Sequence, residues 1–139
     1  MIHVITGLNG GPKSDLPYDD QHHGRHDASK GENMKDLKAK AISLMDIVDY
    51  QKGSVVSREI VSKKTGTLTL FAFDTGQGLS EHTAPFDATV YCLEGEVEVT
   101  ISGNPILLKG GEMIIMPANE PHALQAVTPF KMLLIMIRA

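Results

Sequence analysis

A chain of 139 residues, 42% of them apolar, holds enough material for one domain with one core. Its formal charge of −4 excludes the basic footprint of a nucleic-acid binder, and no apolar run approaches a membrane span. Its one cysteine, Cys92, excludes an internal disulfide framework. The opening residues lack the basic-then-apolar order of a secretory signal, so the expected location is cytoplasmic, with neither nucleic acid nor membrane as partner.

Residues 1–33 differ in texture from the rest. They carry five glycines and many acidic and polar side chains, with no helical or strand period. Such a stretch buries too little apolar surface to offset the entropy of ordering it. His22, His23 and His26 fall within it, a tract that binds metal adventitiously at most. Met34 opens MKDLKAKAISL, which reads as an ordinary protein start. The expectation is therefore a flexible or misassigned leader over 1–33 and one folded domain over 34–139. Residues 36–45 form the one helical candidate.

From residue 42 onward the pattern is that of short strands. Residues 67–73 are β-prone and end in the turn-rich stretch 74–78. Residues 88–93 follow, with Cys92 reading as a small buried hydrophobe, and then the turn Glu94-Gly95. Residues 96–101 alternate strictly, with Val97, Val99 and Ile101 on one face and Glu96, Glu98 and Thr100 on the other, a solvated one. Residues 102–105 turn the chain into 106–108, and Lys109-Gly110-Gly111 turns it into 113–116. The last run, 132–137, is apolar at every position, which predicts burial on both faces. Many short strands punctuated by glycine and proline predict an all-β sandwich or barrel.

Two stretches carry more than periodicity. Residues 76–95 read GQGLSEHTAPFDATVYCLEG and residues 111–126 read GEMIIMPANEPHALQA. Together they resemble the two signature motifs of the cupin superfamily. The first motif of that family runs Gly, five residues, His-x-His, three or four residues, Glu, six residues, Gly. Gly76, His82 and Gly95 match it, whereas Ala84 stands at the second His and Ala88 at the Glu. The second motif runs Gly, five residues, Pro-x-Gly, two residues, His, three residues, Asn. Gly111, Pro117 and His122 match, while Asn119 and Ala126 depart. The resemblance covers residues 42–137 and implies a double-stranded β-helix, a jelly-roll barrel with its site inside.

In metal-bearing cupins the two motifs converge on one divalent ion, and imidazole and carboxylate suit iron, manganese, nickel or zinc. Here the inward set reads His82, Ala84, Ala88 and His122. Two neutral imidazoles bind a dication weakly and leave its charge unbalanced. Asp87 is the residue that would change this. Regular alternation turns it away from the site, where it reads as a rim or turn-stabilising carboxylate, but a bulge at Pro85 would aim it inward and complete a two-His, one-carboxylate centre. Glu81 beside His82 reads as exposed or as an acid that orients the imidazole. The shortened positions 84 and 88 would enlarge a cavity lined by Phe86, Met113 and Met116.

These residues predict a small-molecule-binding cupin with a degenerate two-His site, holding no cofactor or a weakly bound divalent metal ion. The alternative is a metal-dependent enzyme of the dioxygenase or isomerase kind on His82, Asp87 and His122. A metal-free enzyme in which one imidazole moves a proton is a third reading, so catalysis stays open. The apolar last strand, with exposed-looking Val55 and Val56, predicts a homodimer.

Overall fold

The hairpin at residues 101–104 shows how local sequence sets the register. Ser102 and Gly103 have φ of 49° and 83°, the paired left-handed conformation of a two-residue type I′ turn, and Ile101 pairs directly with Asn104. The computed structural model describes residues 2–6 and 37–138, and their regular structure is nearly all strand. In chain order the strands are β1 (Ile2–Thr6), β2 (Ser54–Lys63), β3 (Gly66–Phe73), β4 (Gly78–His82), β5 (Ala88–Glu94), β6 (Glu96–Ile101), β7 (Asn104–Lys109), β8 (Met113–Met116), β9 (His122–Ala126) and β10 (Phe130–Ile137). Pro105 lies in β7, at the edge of its sheet, where a missing backbone donor costs no ladder bond.

Two antiparallel sheets form the jelly roll. One runs β1-β2-β3-β10-β5-β8 and the other β4-β9-β6-β7. Their inner faces enclose the core, in which Phe73, Phe130, Val90, Cys92, Val97 and Val99 have no exposed surface. The alternation read in β6 holds, since Val97 and Val99 are fully buried, Ile101 packs against the same core, and Glu98 is exposed. The glycine of the β5–β6 turn has a steric reason. Gly95 has φ of 87°, and a Cβ there would collide with the carbonyl oxygen of Pro129.

A second apolar layer covers part of the outer face of the larger sheet. Val48 packs with Val56, Leu70 and Ala72, flanked by Leu44, Ile47 and Tyr50. This layer is latched by polar groups. The Lys131 ammonium donates to the carbonyl of Met45 at 2.6 Å and lies 5.0 Å from the centre of the Tyr50 ring. The Tyr50 hydroxyl donates to Glu94 at 2.5 Å. Burial, followed by the Glu94 carboxylate, pushes the Tyr50 phenol far above its usual range.

Several expectations are corrected here. The helix over 36–45 does not form among its described residues. Ala39 takes φ of 60°, and a single 3-10 turn follows at Leu44–Asp46. A segment so short cannot offset helix nucleation without a buried face. Val55 and Val56 are 0% and 4% exposed, one in the barrel core and the other beneath Val48, so neither is surface. Glu94, read as a turn residue, instead ends β5 and accepts the Tyr50 hydroxyl. Within the expected leader, Ile2–Thr6 pairs with β2 from Ile2↔Arg58 to Thr6↔Ser54. The remainder of the leader, with its three histidines, lies outside the described residues.

Candidate functional site

His82 ends β4 and His122 opens β9, and the two are direct partners across the ladder. Leu79 pairs with Leu124, so three steps along β4 match two along β9. That extra residue is a bulge, and it decides where His82 points. Leu79 faces the core, and strict alternation from it would send His82 outward. The bulge restores parity and sets the two imidazoles on the same face. On the other side of β9, His122 pairs with Ile101, which packs on the core. The rings meet edge to face with centroids 4.4 Å apart and planes at 71°.

Both rings are held in one tautomer by the backbone. His82 Nδ1 lies 2.8 Å from the carbonyl oxygen of Ser80 and His122 Nδ1 lies 3.1 Å from that of Glu120. A carbonyl only accepts, so each Nδ1 carries the proton and each Nε2 keeps its lone pair for a ligand. His122 is 3% exposed, while His82 is open to solvent. Burial lowers the His122 pKa and the facing His82 lowers it further, against an opposing contribution from the Glu120 carbonyl. The inner ring is therefore neutral near pH 7.

The lip around the pair is made by two crossing loops. The Asn119 amide donates to the carbonyl of Ala84 at 2.7 Å. The Ala118 amide donates to Asp87 Oδ1 at 2.9 Å. Asn119 has φ of 66°, a left-handed position where the cupin motif carries Gly, and Asn is among the residues that best tolerate it. Ala88 and Met116, a ladder pair 3% exposed each, sit inside the barrel at this same end.

A family model described as a cupin domain matches residues 69–137. A cupin 2 conserved barrel domain protein from Leptotrichia buccalis is 40% identical with a TM-score of 0.65, over 67% of this chain and 45% of that one. The chain belongs to the cupin superfamily. A conserved protein of unknown function from Streptococcus pyogenes is 37% identical with a TM-score of 0.70, covering 73% of this cupin and 89% of that chain. A cupin superfamily protein from Desulfitobacterium hafniense shares the fold at a TM-score of 0.70 and 24% identity, over 73% of this chain and 94% of that one. No curated protein matches.

Within this cupin the sequence-predicted residues divide into three places. His82, His122, Ala88 and Met116 gather at the mouth. Ala84 lies in the lip loop, because β4 ends at His82 and the expected alternation does not continue to residue 84. Phe86, Asp87 and Met113 are elsewhere. Phe86 and Asp87 line a groove of about 500 Å³ on the outer face, beside Ile115 and Ile135. The Arg138 guanidinium lies 5.5 Å from the centre of the Phe86 ring. Met113 pairs with Tyr91 on that outer face and is 57% exposed, so it lines no interior cavity. Asp87 is not brought to the imidazoles, since its carboxylate anchors the lip instead. Among the described residues, no three His, Cys, Asp or Glu side chains are grouped to hold a metal ion. The donor set thus fits poorly with the divalent ion that the family pattern implies. Two neutral rings supply no charge to balance a dication.

Sequence reasoning missed the bulge before His82, which leaves no local signal beyond a glycine at 78. Asp87 sits in the lip as the rim carboxylate that regular alternation implied, and no bulge at Pro85 turns it inward, because β4 has already ended at His82.

Proposed function

We propose that this cupin binds a small molecule at the barrel mouth through the Nε2 atoms of His82 and His122, with a degenerate metal centre. The observation that carries this is the edge-to-face pair with both Nδ1 atoms tied to backbone carbonyls. It leaves two pre-oriented acceptors above an apolar interior, the combination typical of small-molecule pockets. Ala88, at the position of the family's Glu, gives up volume beneath them. A divalent ion is held weakly or not at all. The enzyme reading on His82, Asp87 and His122 lacks its carboxylate and gains no support from the geometry. The test is imidazole 15N resonances of the full chain titrated with a panel of small sugars and carboxylic acids. Perturbation of both His82 and His122 Nε2 by a panel member supports the reading, and a panel that moves neither ring counts against it.

The partner expected beyond the ligand is a second copy. Tyr91, Met113, Ile115 and Ile137 are 37%, 57%, 51% and 63% exposed. They share the outer face of β5, β8 and β10, a patch suited to a two-fold contact. A monomeric mass by light scattering at micromolar concentration would remove the dimer from the proposal. Among the described residues no helix is long and apolar enough to cross a membrane.

A further inference from the structure

From Met132 to Ile137 β10 is apolar at every position, and only part of its outer face is covered. Leu133 packs against the outer layer built on Val48. Ile135 and Ile137, on the same face by alternation, instead line the outer groove of about 500 Å³, together with Phe86, Ile115 and Ala118. One acid and one base stand at this groove, and both are exposed. Asp87 lines it, and the Arg138 guanidinium borders it over the Phe86 ring. One N–H of Arg138 donates to the Lys63 carbonyl at 3.1 Å. A guanidinium has five donors in a planar fork that suits a carboxylate, so this bond leaves most of them for a second contact.

Asp87 belongs to the mouth as well as to the groove. Its Oδ1 accepts the Ala118 amide, and the neighbouring Asn119 amide donates to the Ala84 carbonyl. Ala84 lies two residues beyond His82. Glu120, next after Asn119, supplies the carbonyl that accepts from His122 Nδ1. One clamp therefore joins the two segments that carry the imidazoles, and the carboxylate at its outer end lines the groove.

We propose that the groove seats a second copy of this chain across a two-fold axis, with the partner's Arg138 against Asp87, and that this contact holds the clamp and with it the spacing of the imidazoles at the mouth. The pairing is isologous. Asp87 of each copy meets Arg138 of the other, so one acid and one base per groove satisfy the symmetry with no like charges opposed. The apolar residues between them supply burial, and the charges fix the register. Held between the partner's guanidinium and the Ala118 amide, the carboxylate keeps one rotamer. Without the guanidinium it is an exposed side chain that turns from the amide on a fast timescale, and the clamp loosens. This contact presupposes the dimer put forward above; its added consequence lies at the mouth, and it holds for any small molecule that enters there.

The experiment uses the full chain with His22, His23 and His26 replaced by alanine in every arm, which leaves the imidazoles of His3, His82 and His122. Mass is read by sedimentation over a dilution series, and imidazole 15N resonances are read on dimer and on monomer. Arg138→Glu opposes like charges at both ends of the interface and is expected to weaken association at least about a hundredfold. Asp87→Asn keeps an acceptor for the Ala118 amide but removes the countercharge, and is expected to weaken it at least about tenfold. From dimer to monomer, whether by dilution of the parent or by Arg138→Glu, the His122 signals are expected to shift, and those of His82 with them. A parent that is monomeric at micromolar concentration overturns the dimer and the coupling together. Parental association in folded Arg138→Glu or Asp87→Asn, or a dimer-to-monomer step that leaves the His122 signals in place, overturns the coupling and leaves the dimer standing. Because dilution acts on the parent chain, a variant that folds poorly does not spare it.

Discussion

Replacing Ala88 by Glu puts a carboxyl group where the family pattern has one, and the structure sets the cost. Position 88 is 3% exposed and lies between Met116 and Met136. Extra side-chain atoms there overpack the mouth by about 1–3 kcal/mol. A buried carboxyl also has its pKa raised by about 3–5 units. Holding it at pH 7, against an unfolded value near 4.3, adds about 3–4 kcal/mol. The sum is a large fraction of the about 5–15 kcal/mol that stabilises a domain. The sign follows from linkage. The folded pKa lies above the unfolded one, so the electrostatic cost is absent below about pH 4 and grows as pH rises toward the folded value. A divalent ion reverses it, because the introduced carboxylate joins His82 and His122 in a set of two imidazoles and one carboxylate. At a hundred times its Kd the ion returns about 2.7 kcal/mol. The assay is urea denaturation of Ala88→Glu at pH 5 and pH 8, with and without manganese, nickel or zinc, beside the parent. The expected outcome is a variant weaker at pH 8 than at pH 5 relative to the parent, and rescued by ion only while both histidines are present. Parental stability at pH 8, or a rescue that survives His122→Ala, would refute the placement of residue 88 opposite the pair.

Other outcomes test the scaffold. Gly95→Ala combines left-handed strain with a clash against the Pro129 carbonyl and should cost about 3 kcal/mol in urea. Gly103→Ala, also at positive φ but with nothing within 4 Å, should cost about 1 kcal/mol, and equal losses would refute the steric argument. Tyr50→Phe keeps the ring under Lys131 and removes only the hydroxyl bond to Glu94, so it should cost about 1.5 kcal/mol, with an unchanged urea midpoint as the contrary result. Burial, then Glu112, pushes the Cys92 thiol up to about 11. Its alkylation at pH 8 should therefore run at least about a hundredfold slower than that of a peptide thiol, and peptide-like labelling would contradict its burial. Asp87→Asn keeps an acceptor for the Ala118 amide and should leave metal content unchanged, whereas loss of a stoichiometric metal would restore the enzyme reading.

What could be read from the chain tracks the range over which each signal acts. The faces of β6 follow from period-two alternation, and the hairpin at Ser102-Gly103 from local turn chemistry, so both were visible in six or eight residues. The motif glycines are equally local, since Gly76, Gly95 and Gly111 all take positive φ. Parity failed where a strand stopped or bulged. Extending alternation through residues 82–88 assumed a continuous strand, but β4 ends at His82, and so Phe86 and Asp87 face the outer groove. The latch was hidden for another reason, because Tyr50 and Glu94 are 44 residues apart and nothing in either neighbourhood announces the other. The flanking of Ala88 by Met116 and Met136 likewise depends on ladder partners rather than on spacing.

The bulge between Leu79 and His82 turns a question of chemistry into one of counting. Removing one residue from Ser80-Glu81 would leave β4 its length of hydrogen-bonded ladder and alter no apolar side chain. It would also remove the bulge, since the histidine would then stand two steps from Leu79 as His122 stands two from Leu124, and plain alternation would keep the two rings on one face. Ironing the bulge out at the present length would do the opposite and turn His82 to the solvent side. The facing of this ring is thus set by where one extra residue is taken up, and substitution scans that preserve length would pass over it.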